Sequence, residues 1–402
     1  MKRVYIYTSV FPYTLMAEAF MSEELRVAKD FNCEIFIVPI GTDKVLRDVP
    51  SEVHLDNSLC KRHYIQNIRA LIGLFKLNNL KELFFNPKRP LKAKYYIDTV
   101  KYLYAANLVY YNLSSKARKY PDSIFYSYWT SYPPIAFAEY KRKHPSTSAK
   151  FVCRAHTFAS YGTETGIYCP SRDFVFKYID SVYVISNILL ERLKKQYPEY
   201  CNKFILSRLG VKDNYCAKEE ISNRIEFVSC SSIIPLKRID LVFLSIKNYA
   251  LEHPGTAFKW THIGDGPLMG SIKVLVENNP INNLEVDLRG VMNNKAILEF
   301  YRKTKIHTLI LLSVREGVPV VLMEAISSGI PILATNVGGI SDITNNQTGC
   351  MVPRDFNQED FNQALDYILH NNDSLALSCH DFFFDCFNSE KNYKQFYNSL
   401  LS

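Results

Sequence analysis

The sequence predicts an α/β protein of two Rossmann-like, doubly wound domains that face each other across an interdomain cleft. Three observations predict this fold. Short β-branched runs alternate with amphipathic helical stretches, a pattern typical of parallel sheets covered by helices. The alternation restarts after Gly210. The chain has 402 residues, more than the roughly 250–300 at which a single hydrophobic core stops growing.

The first predicted domain, residues 1–205, takes its strands from β-branched and aromatic runs and its helices from apolar residues at helical spacing. The predicted strands are Val4–Thr8, Glu34–Ile40, Ser123–Tyr128, Lys150–Ala155 and Ser181–Ile185. The predicted helices are Ala17–Phe31, a long basic helical region after the second strand, Ala136–Lys143, and a helix capped by Ser186 that ends before Pro198.

The second predicted domain, residues 223–380, repeats the pattern after a polar linker at 206–222. Its predicted strands are Arg224–Cys230, Ala257–Ile263, Glu285–Leu288, His307–Leu312 and Ile330–Ala334. Its predicted helices are Arg238–Ala250, Leu268–Glu277, Lys295–Arg302, Pro319–Ser328 and Gln358–Leu369. Residues 381–402 are predicted to form a C-terminal helix that returns to the first domain. Ligands of such sheets bind at the carboxyl ends of the strands.

The composition excludes several classes of protein. Charged residues are 22% and aromatic residues 13%, which argues against disorder, and no apolar run approaches the roughly 18–20 residues that span a bilayer. Ten scattered cysteines without a Cys-x-x-Cys pair indicate reduced thiols, and the N-terminus fits a first strand better than a signal peptide. There is no Asp-x-Asp and no cluster with metal-ligand spacing. We therefore expect a cytoplasmic protein without a bound metal.

The positive charge is concentrated in residues 61–120. This segment has 13 basic and two acidic residues, a net charge of +11, whereas the whole chain has +8. Aromatic and aliphatic residues are interleaved with the basic ones, namely Leu71, Ile72, Leu74, Phe75, Phe84, Phe85, Tyr95, Tyr96, Tyr102 and Tyr104. Such a mixture suits an anionic membrane surface, where each Lys or Arg contributes about 1 kcal/mol. It is also compatible with nucleic-acid binding, or with solvated helices whose apolar side is core.

Residues 309–339 carry the strongest chemical signal. A buried strand ends at Ser313, and a loop leads to a helix with Pro319 near its start and Gly329 just past its end. The N–H groups of Gly317, Val318 and Val320 in the first turn, with the helix dipole behind them, predict a site for an anion such as a diphosphate.

Two carboxylates flank this predicted anion site, Glu316 before the helix and Glu324 within it. Eight helical residues would separate them by roughly 12 Å, which suits an extended ligand with a sugar at one end and a ribose at the other. Carboxylates accept hydrogen bonds from paired sugar hydroxyls. The alternative is structural, with Glu316 as a helix-terminal charge and Glu324 as a buried acid paired to a base.

Several pieces of the sequence, in one order, resemble retaining glycosyltransferases of family 4. Glu316 and Glu324 match the Glu-x7-Glu motif of that family. The other pieces that resemble its segments are Arg154–His156, Ser229–Asp240, Ile263–Pro267, Arg289–Val291 and Gly329–Gly339. One departure is the loop at 11–18, which has no glycine where the family usually has one, so whether this loop contacts donor or acceptor stays open.

The resemblance implies the GT-B fold, with the acceptor side in residues 1–205 and nucleotide-sugar binding in residues 223–380, and a set of residue roles. Lys237, or its neighbour Arg238, would pair with the donor diphosphate; Glu316 would hold the sugar and Glu324 the ribose; His156 would reach the sugar from the other domain. The implied catalytic residues are Glu316, His156 and Lys237. The implied substrate-binding residues are Arg238, Gly264, Asp265, Gly266, Arg289, Val291, Gly317, Val318, Pro319, Val320 and Glu324.

The implied activity is retaining, metal-independent transfer of a sugar from a nucleotide-diphosphate donor. A UDP-sugar is favoured over a GDP-sugar as co-substrate, with no other cofactor. The acceptor would be a glycan or a polyprenyl or other lipid-linked glycan in cell-envelope polysaccharide synthesis. The protein would be cytoplasmic, or peripheral on the inner membrane face through residues 61–120. No nucleic-acid partner is expected. The alternatives are an epimerase or phosphorylase of the same fold, and a non-catalytic module that binds membrane or nucleic acid.

Overall fold

A computed structural model describes residues 1–13, 18, 20–42, 47–60, 64–85, 92–156, 168–216 and 223–402. The chain separates into two compact units. The first unit comprises residues 1–209 and 390–402, and the second comprises residues 210–389. Parts of the predicted linker (217–222), of the first predicted helix (17 and 19) and of the basic segment (61–63 and 86–91) lie outside the described residues.

The first unit contains a seven-stranded parallel sheet with the order β3-β2-β1-β4-β5-β6-β7. The strands are β1 (Lys2–Thr8), β2 (Cys33–Pro39), β3 (Val53–Leu55), β4 (Ile124–Ser127), β5 (Lys150–Ala155), β6 (Ser181–Val184) and β7 (Phe204–Leu206). The chain moves outward from β1 in one direction and from β4 in the other, so the topological switch point lies between β1 and β4. Short β3 and β7 were not predicted, and β7 includes Leu206, the first residue of the predicted linker.

Helices cover both faces of this sheet. They are α1 (Phe20–Ala28), α2 (Tyr64–Ile72), α3 (Leu77–Phe85), α4 (Ala93–Lys119), α5 (Pro133–Lys143), α6 (Arg172–Tyr178) and α7 (Asn187–Gln196). The predicted cap of α7 is present, because the Ser186 hydroxyl accepts from the Leu189 amide at 3.2 Å. The basic segment is helical, and part of its aromatic content is core: Tyr95 is buried and Tyr104 packs against the core.

The second unit contains a six-stranded parallel sheet with the order β10-β9-β8-β11-β12-β13. The strands are β8 (Ile225–Cys230), β9 (Phe258–Ile263), β10 (Leu284–Leu288), β11 (Thr308–Leu311), β12 (Ile332–Thr335) and β13 (Gly349–Val352). Its switch point lies between β8 and β11. Both sheets are parallel and doubly wound, so the predicted fold class of two Rossmann-like α/β domains is confirmed.

Five helices in the described part of the second unit match the predicted ones to within a few residues. They are α8 (Ile239–Glu252), α9 (Met269–Glu277), α10 (Asn294–Lys303), α11 (Val320–Ser327) and α12 (Gln358–His370). The next helix, α13 (Asn372–Cys386), was not predicted. Residues 381–402 are not one helix as predicted. The helix α13 ends at Cys386, and a separate helix, α14 (Ser389–Leu401), belongs to the first unit from Glu390 onward. Phe396, Tyr397 and Leu400 of α14 are buried in the core of the first unit.

Candidate functional site

The switch point of the second sheet brings together the loops that follow β8 and β11. Lys237 ends a short 3-10 turn after β8, and Glu316 lies in the loop after β11. The Lys237 ammonium donates to a carboxylate oxygen of Glu316. The two loops are also joined through their backbones, because the Val314 amide donates to the Leu236 carbonyl at 2.9 Å. Two predicted catalytic residues are therefore neighbours at the edge where ligands of open α/β sheets bind.

The Lys237–Glu316 pair is largely shielded from water. The exposed fractions of the two side chains are 19% and 10%. Removing one partner of a buried ion pair leaves an uncompensated charge and is costly, whereas an anionic ligand can share the lysine without such a penalty. The pair therefore holds a cation ready at the carboxyl ends of the strands.

Glycines allow these loops to touch. Gly338, which follows β12, has φ +58°, and a Cβ there would overlap the carbonyl oxygen of Glu316. The adjacent Gly339 amide donates to the Gly317 carbonyl at 2.8 Å. The Gly-Gly pair therefore supports the backbone of the loop that carries Glu316, and a side chain at either position would push this loop away.

The turn at Gly264–Gly266 supports the other loop in the same way. Gly264 has φ +144°, and a Cβ there would overlap the carbonyl oxygen of Ser231. The Ile233 amide donates to the Asp265 carbonyl at 3.0 Å, and the Asp265 carboxylate accepts from the Gly266 amide at 2.6 Å. These predicted substrate-binding residues thus lie against the loop that leads to Lys237.

The helix α11 begins at Val320, one residue later than predicted. Pro319 is extended, with ψ 123°, and precedes the helix, while Gly317 and Val318 lie in the loop before it. Gly329 ends the helix in the left-handed region at φ +67°, as expected of a glycine after a C-cap.

Glu324 is a buried acid on α11 with an amide partner. Its carboxylate accepts from the Asn294 side chain at 2.6 Å, and 8% of the residue is exposed. Burial raises the pKa of Glu324 to about 7, although the hydrogen bond from Asn294 opposes this shift. The structural alternative for Glu324 required a basic partner, and the partner that the structure gives is neutral Asn294.

The raised pKa of Glu324 predicts pH-dependent stability. Between about pH 4.5 and pH 7 the folded protein holds a proton at Glu324 that the unfolded chain releases. The free energy of unfolding should therefore fall as the pH rises through this window, by up to about 3 kcal/mol. Glu324→Gln should remove this fall and be more stable than the parent protein at pH 8 when urea unfolding is measured from pH 4 to pH 8.

The exposed Glu277→Gln variant on α9 is the control for that experiment, and it should keep the parental pH profile. A profile for Glu324→Gln that also matches the parent would contradict the raised pKa.

Two predicted arginine ligands have other partners in the structure. Arg238 donates to the carbonyls of Leu312, at 2.6 Å, and Arg354, at 2.9 Å. Arg289 donates to Asp287 at 2.8 Å and lies over the ring of Phe300 at 4.3 Å. Val291 is 80% exposed. Of the two neighbouring cations that the sequence left open for the diphosphate, Lys237 is the one next to Glu316.

In the first unit, His156 follows β5 directly and is 7% exposed. Its ring lies 4.3 Å from the Trp129 ring and 5.1 Å from the Tyr128 ring, measured between centroids. Burial, together with the charge of Arg154, lowers the pKa of His156 to about 3. At neutral pH this histidine is therefore a neutral hydrogen-bonding group and not a cation.

Glu18 and Trp129 lie at the switch point of the first sheet, and sequence reasoning missed both. The Glu18 carboxylate accepts from three consecutive amides, those of residues 9, 10 and 11, at 2.7–3.0 Å, and from the Trp129 indole at 2.6 Å. Consecutive amides of this kind form an anion-binding nest. In this chain the nest holds its own carboxylate, and Glu18 thereby fixes the indole that contacts His156. The sequence feature that could have indicated this role is the position of Glu18 at the end of the glycine-free loop 11–18.

Within the described parts of the chain, no group of three or more His, Cys, Asp or Glu side chains could hold a metal ion.

Residues 211–380 match the family model described as "Glycosyl transferases group 1", and this range lies within the second unit. WcaL of Escherichia coli K12, which is assigned as a glycosyltransferase of colanic acid biosynthesis, is 24% identical over 195 residues. The match covers 46% of this chain and 47% of WcaL. The chain thus spans about half the length of the curated relatives that it matches.

Solved structures share the whole fold. The lipopolysaccharide outer core galactosyltransferase WaaB has a TM-score of 0.69 at 15% identity, covering 100% of this chain and 99% of WaaB. HepE of Anabaena in complex with UDP has a TM-score of 0.66 at 11% identity, with coverage of 100% and 99%. The fold of this chain is therefore the two-domain GT-B fold of glycosyltransferases, and the family model, the curated relatives and the fold together support the prediction that it is a glycosyltransferase.

Proposed function

We propose that the protein is a retaining glycosyltransferase that transfers a sugar from a nucleotide-diphosphate donor without a metal ion. The observation that carries the proposal is the Lys237–Glu316 pair at the switch point of the sheet whose residues match the group 1 glycosyltransferases. The pair offers a cation to the diphosphate and a carboxylate to sugar hydroxyls on the same edge. We infer that Lys237 contacts the diphosphate, because Arg238 already donates to two carbonyls.

The proposed reaction breaks the bond between the anomeric carbon and the β-phosphate oxygen and forms a bond from the same face to the acceptor oxygen. The leaving phosphate takes the acceptor proton, so no separate basic residue is needed at the reacting carbon. Lys237 stabilises the negative charge that builds on the leaving group, in the way that preorganised donors stabilise charge in a transition state. Glu324 binds the ribose hydroxyls from α11, and His156 acts as a neutral hydrogen-bonding group.

For the donor we propose a UDP-sugar, and for the pathway a cell-envelope polysaccharide. HepE, which shares the fold, has been solved with UDP, and WcaL is assigned to colanic acid biosynthesis. The proposed acceptor is a lipid-linked glycan presented at the inner face of the cytoplasmic membrane.

A thermal-unfolding screen against UDP, GDP and their sugars tests the donor proposal. A ligand at 100 times its dissociation constant should stabilise the protein by about 2.7 kcal/mol. We expect stabilisation by UDP and by one or more UDP-sugars, and release of free UDP when an acceptor is added. A product that is still attached to the nucleotide would indicate an epimerase, a need for free phosphate would indicate a phosphorylase, and no nucleotide binding would contradict the proposal.

Membrane binding is proposed for an exposed apolar surface on the basic segment. This apolar face consists of Tyr64, Ile65, Ile68, Leu71, Ile72, Phe75, Phe84 and Phe85, which are 38–79% exposed. The helix α2 packs its other side on α4, where the Tyr104 hydroxyl donates to Asn67 at 3.0 Å and the Asn107 amide donates to the Ala70 carbonyl at 3.2 Å. The apolar residues of α2 thus point to solvent beside a segment with a net charge of +11.

An anionic membrane is the partner that this combination fits best, because both the apolar face and the positive charge would gain from it. Within the described residues no helix is long and apolar enough to cross a bilayer, so binding would be peripheral.

We predict that the protein binds phosphatidylglycerol vesicles more tightly than phosphatidylcholine vesicles, and that salt weakens this binding. Ile65→Glu combined with Ile72→Glu should weaken binding more than tenfold, because an isoleucine that becomes buried in the membrane contributes about 1.5–3 kcal/mol. Vesicle co-sedimentation measures the effect.

Leu251→Glu is the matched control, since Leu251 is an exposed leucine of the second unit, and it should leave vesicle binding unchanged. Vesicle binding that is unchanged in the double variant, or that does not depend on salt concentration, would contradict the membrane proposal. A concentration-dependent dimer that the double variant dissociates would assign the face to a second copy instead.

A further inference from the structure

The first unit contains a cavity of about 360 Å³ among the helices α3, α4, α5 and α6. This volume falls at the lower end of the range for small-molecule sites. Part of its wall is apolar, formed by Leu103 and Ala106 of α4 and by Ile135 and Ala136 of α5, all of them buried. The wall can therefore cover a hydrocarbon chain.

The cation Lys76 lines the same cavity. Its ammonium donates to the Asn107 side chain at 3.0 Å and lies 4.9 Å from the centre of the Tyr110 ring. Burial lowers the pKa of Lys76, and the charges of Lys143 and Arg142 lower it further. The lysine is thus a half-buried cation among other cations, and an anionic group beside it would relieve this repulsion.

The acids around the cavity are engaged by other groups. Glu139 pairs with Arg142 at 3.0 Å and with Lys143 at 3.1 Å. Glu82 accepts from the Tyr168 hydroxyl at 2.8 Å and from the amide and hydroxyl of Ser171, both at 3.1 Å. Asp173 also lines the cavity. Since Glu139 already pairs with two cations, it offsets the charge of Lys76 only in part.

The cavity lies toward the functional edge of the first sheet. Its residues from α5 and α6 belong to the first two turns of these helices, which follow β4 and β5 along the chain. A crossover helix runs back along its sheet, so its first turns lie near the carboxyl ends of the strands, where His156 also lies. Phe85, which is 77% exposed, both lines the cavity and belongs to the apolar face.

We propose that this cavity binds the phosphate and the first part of the hydrocarbon chain of a lipid-linked acceptor. Lys76 binds the phosphate, and Leu103, Ala106 and Ile135 cover the chain. The cavity would thus anchor the acceptor. This inference rests on the proposed function, which requires a lipid-linked acceptor. The chemistry that it recognises is an amphiphile in which a phosphate is attached directly to an alkyl or isoprenoid chain.

Calorimetric titration of the full chain with farnesyl phosphate, below its aggregation concentration, tests the proposal. We expect binding by the parent protein, and weaker or no binding of farnesol and of inorganic phosphate, each of which has half of the recognised chemistry. Lys76→Gln should weaken farnesyl phosphate binding about tenfold to a hundredfold, the effect of losing one charge-assisted hydrogen bond. Ala106→Trp should abolish binding by filling the cavity.

Lys194→Gln is the control, because Lys194 lies on α7, is exposed and pairs with Glu191. It should bind like the parent protein. Lys76→Gln replaces a side chain that is partly solvated, so it remains informative if Ala106→Trp lowers the unfolding temperature. Equal affinity of Lys76→Gln and the parent protein, or inorganic phosphate binding as tightly as farnesyl phosphate, would overturn the proposal.

UDP binding by the same samples tests the proposed function separately. If the parent protein binds UDP but not farnesyl phosphate, the donor proposal stands and the proposal of an acceptor cavity is overturned.

Discussion

Replacing Lys237 by glutamine is expected to slow sugar transfer about 100- to 1000-fold. This is the effect of removing one preorganised donor that stabilises charge in a transition state. Lys237 is the cation at the switch point whose ammonium contacts Glu316. Because the charge on the diphosphate grows as the sugar leaves, the loss should appear mainly in kcat, and the dissociation constant for UDP should rise less. Release of UDP from the donor in the presence of acceptor measures the rate.

The substitution also leaves Glu316 buried without its cation, which lowers stability. The double variant Lys237→Gln with Glu316→Gln removes this unpaired charge, so it should unfold at a temperature closer to that of the parent protein while remaining inactive. Lys247→Gln is the matched control: Lys247 lies on α8 and donates to Asn279 at 2.6 Å, away from the switch point. A double variant that regains activity, or a single variant with normal kcat, would show that Lys237 has only a structural role.

Replacing Gly338 by alanine is expected to disrupt the site through the backbone. The residue has φ +58°, and its new Cβ would overlap the carbonyl oxygen of Glu316. Strain at such a position costs on the order of 1–3 kcal/mol before the clash is counted. The loop that carries Glu316 must therefore move, and a displacement of about 1 Å at a reacting group can cost a hundredfold in rate. We expect a lower unfolding temperature together with a loss of transfer.

Gly270→Ala is the control for this substitution. Gly270 lies on α9, and a Cβ there meets no atom within 4 Å. Alanine at this position should stabilise the helix by up to about 1 kcal/mol and leave transfer unchanged. If Gly338→Ala were as stable and as active as the parent protein, the close packing of the loops after β11 and β12 would not be needed for the site.

Most of the fold was predictable because its signals are local. A strand such as β5 (Lys150–Ala155) has the apolar run Phe151–Cys153 at its centre, and its predicted and observed bounds are identical. Three strands were not predicted. The strands β3 and β7 have three residues each, too few for a periodic pattern, and β13 begins with Gly349 where a strand former is expected. The break at Phe387 between α13 and α14 was missed because no Gly or Pro marks it in the sequence.

The site was predictable where its residues act through the backbone. Gly264 and Gly338 each allow their loop to approach the backbone of a neighbouring loop, and a glycine soon after a predicted strand indicates such a close approach. Side-chain partners depend on tertiary structure instead. The sequence named Lys237 for the diphosphate with Arg238 as the alternative, and only the fold shows that the Arg238 guanidinium donates to the carbonyls of Leu312 and Arg354. The contact between Glu18 and Trp129 joins residues 111 positions apart, so no local pattern reveals it.

The most direct test of the central claim is a crystal structure of the protein with UDP. We predict that the nucleotide lies at the carboxyl ends of β8 and β11, with Lys237 Nζ within about 3 Å of a diphosphate oxygen and the Glu324 carboxylate within hydrogen-bonding distance of the ribose hydroxyls. Density for UDP elsewhere, with the contact between Lys237 and Glu316 unchanged and no ligand at this edge, would contradict the claim.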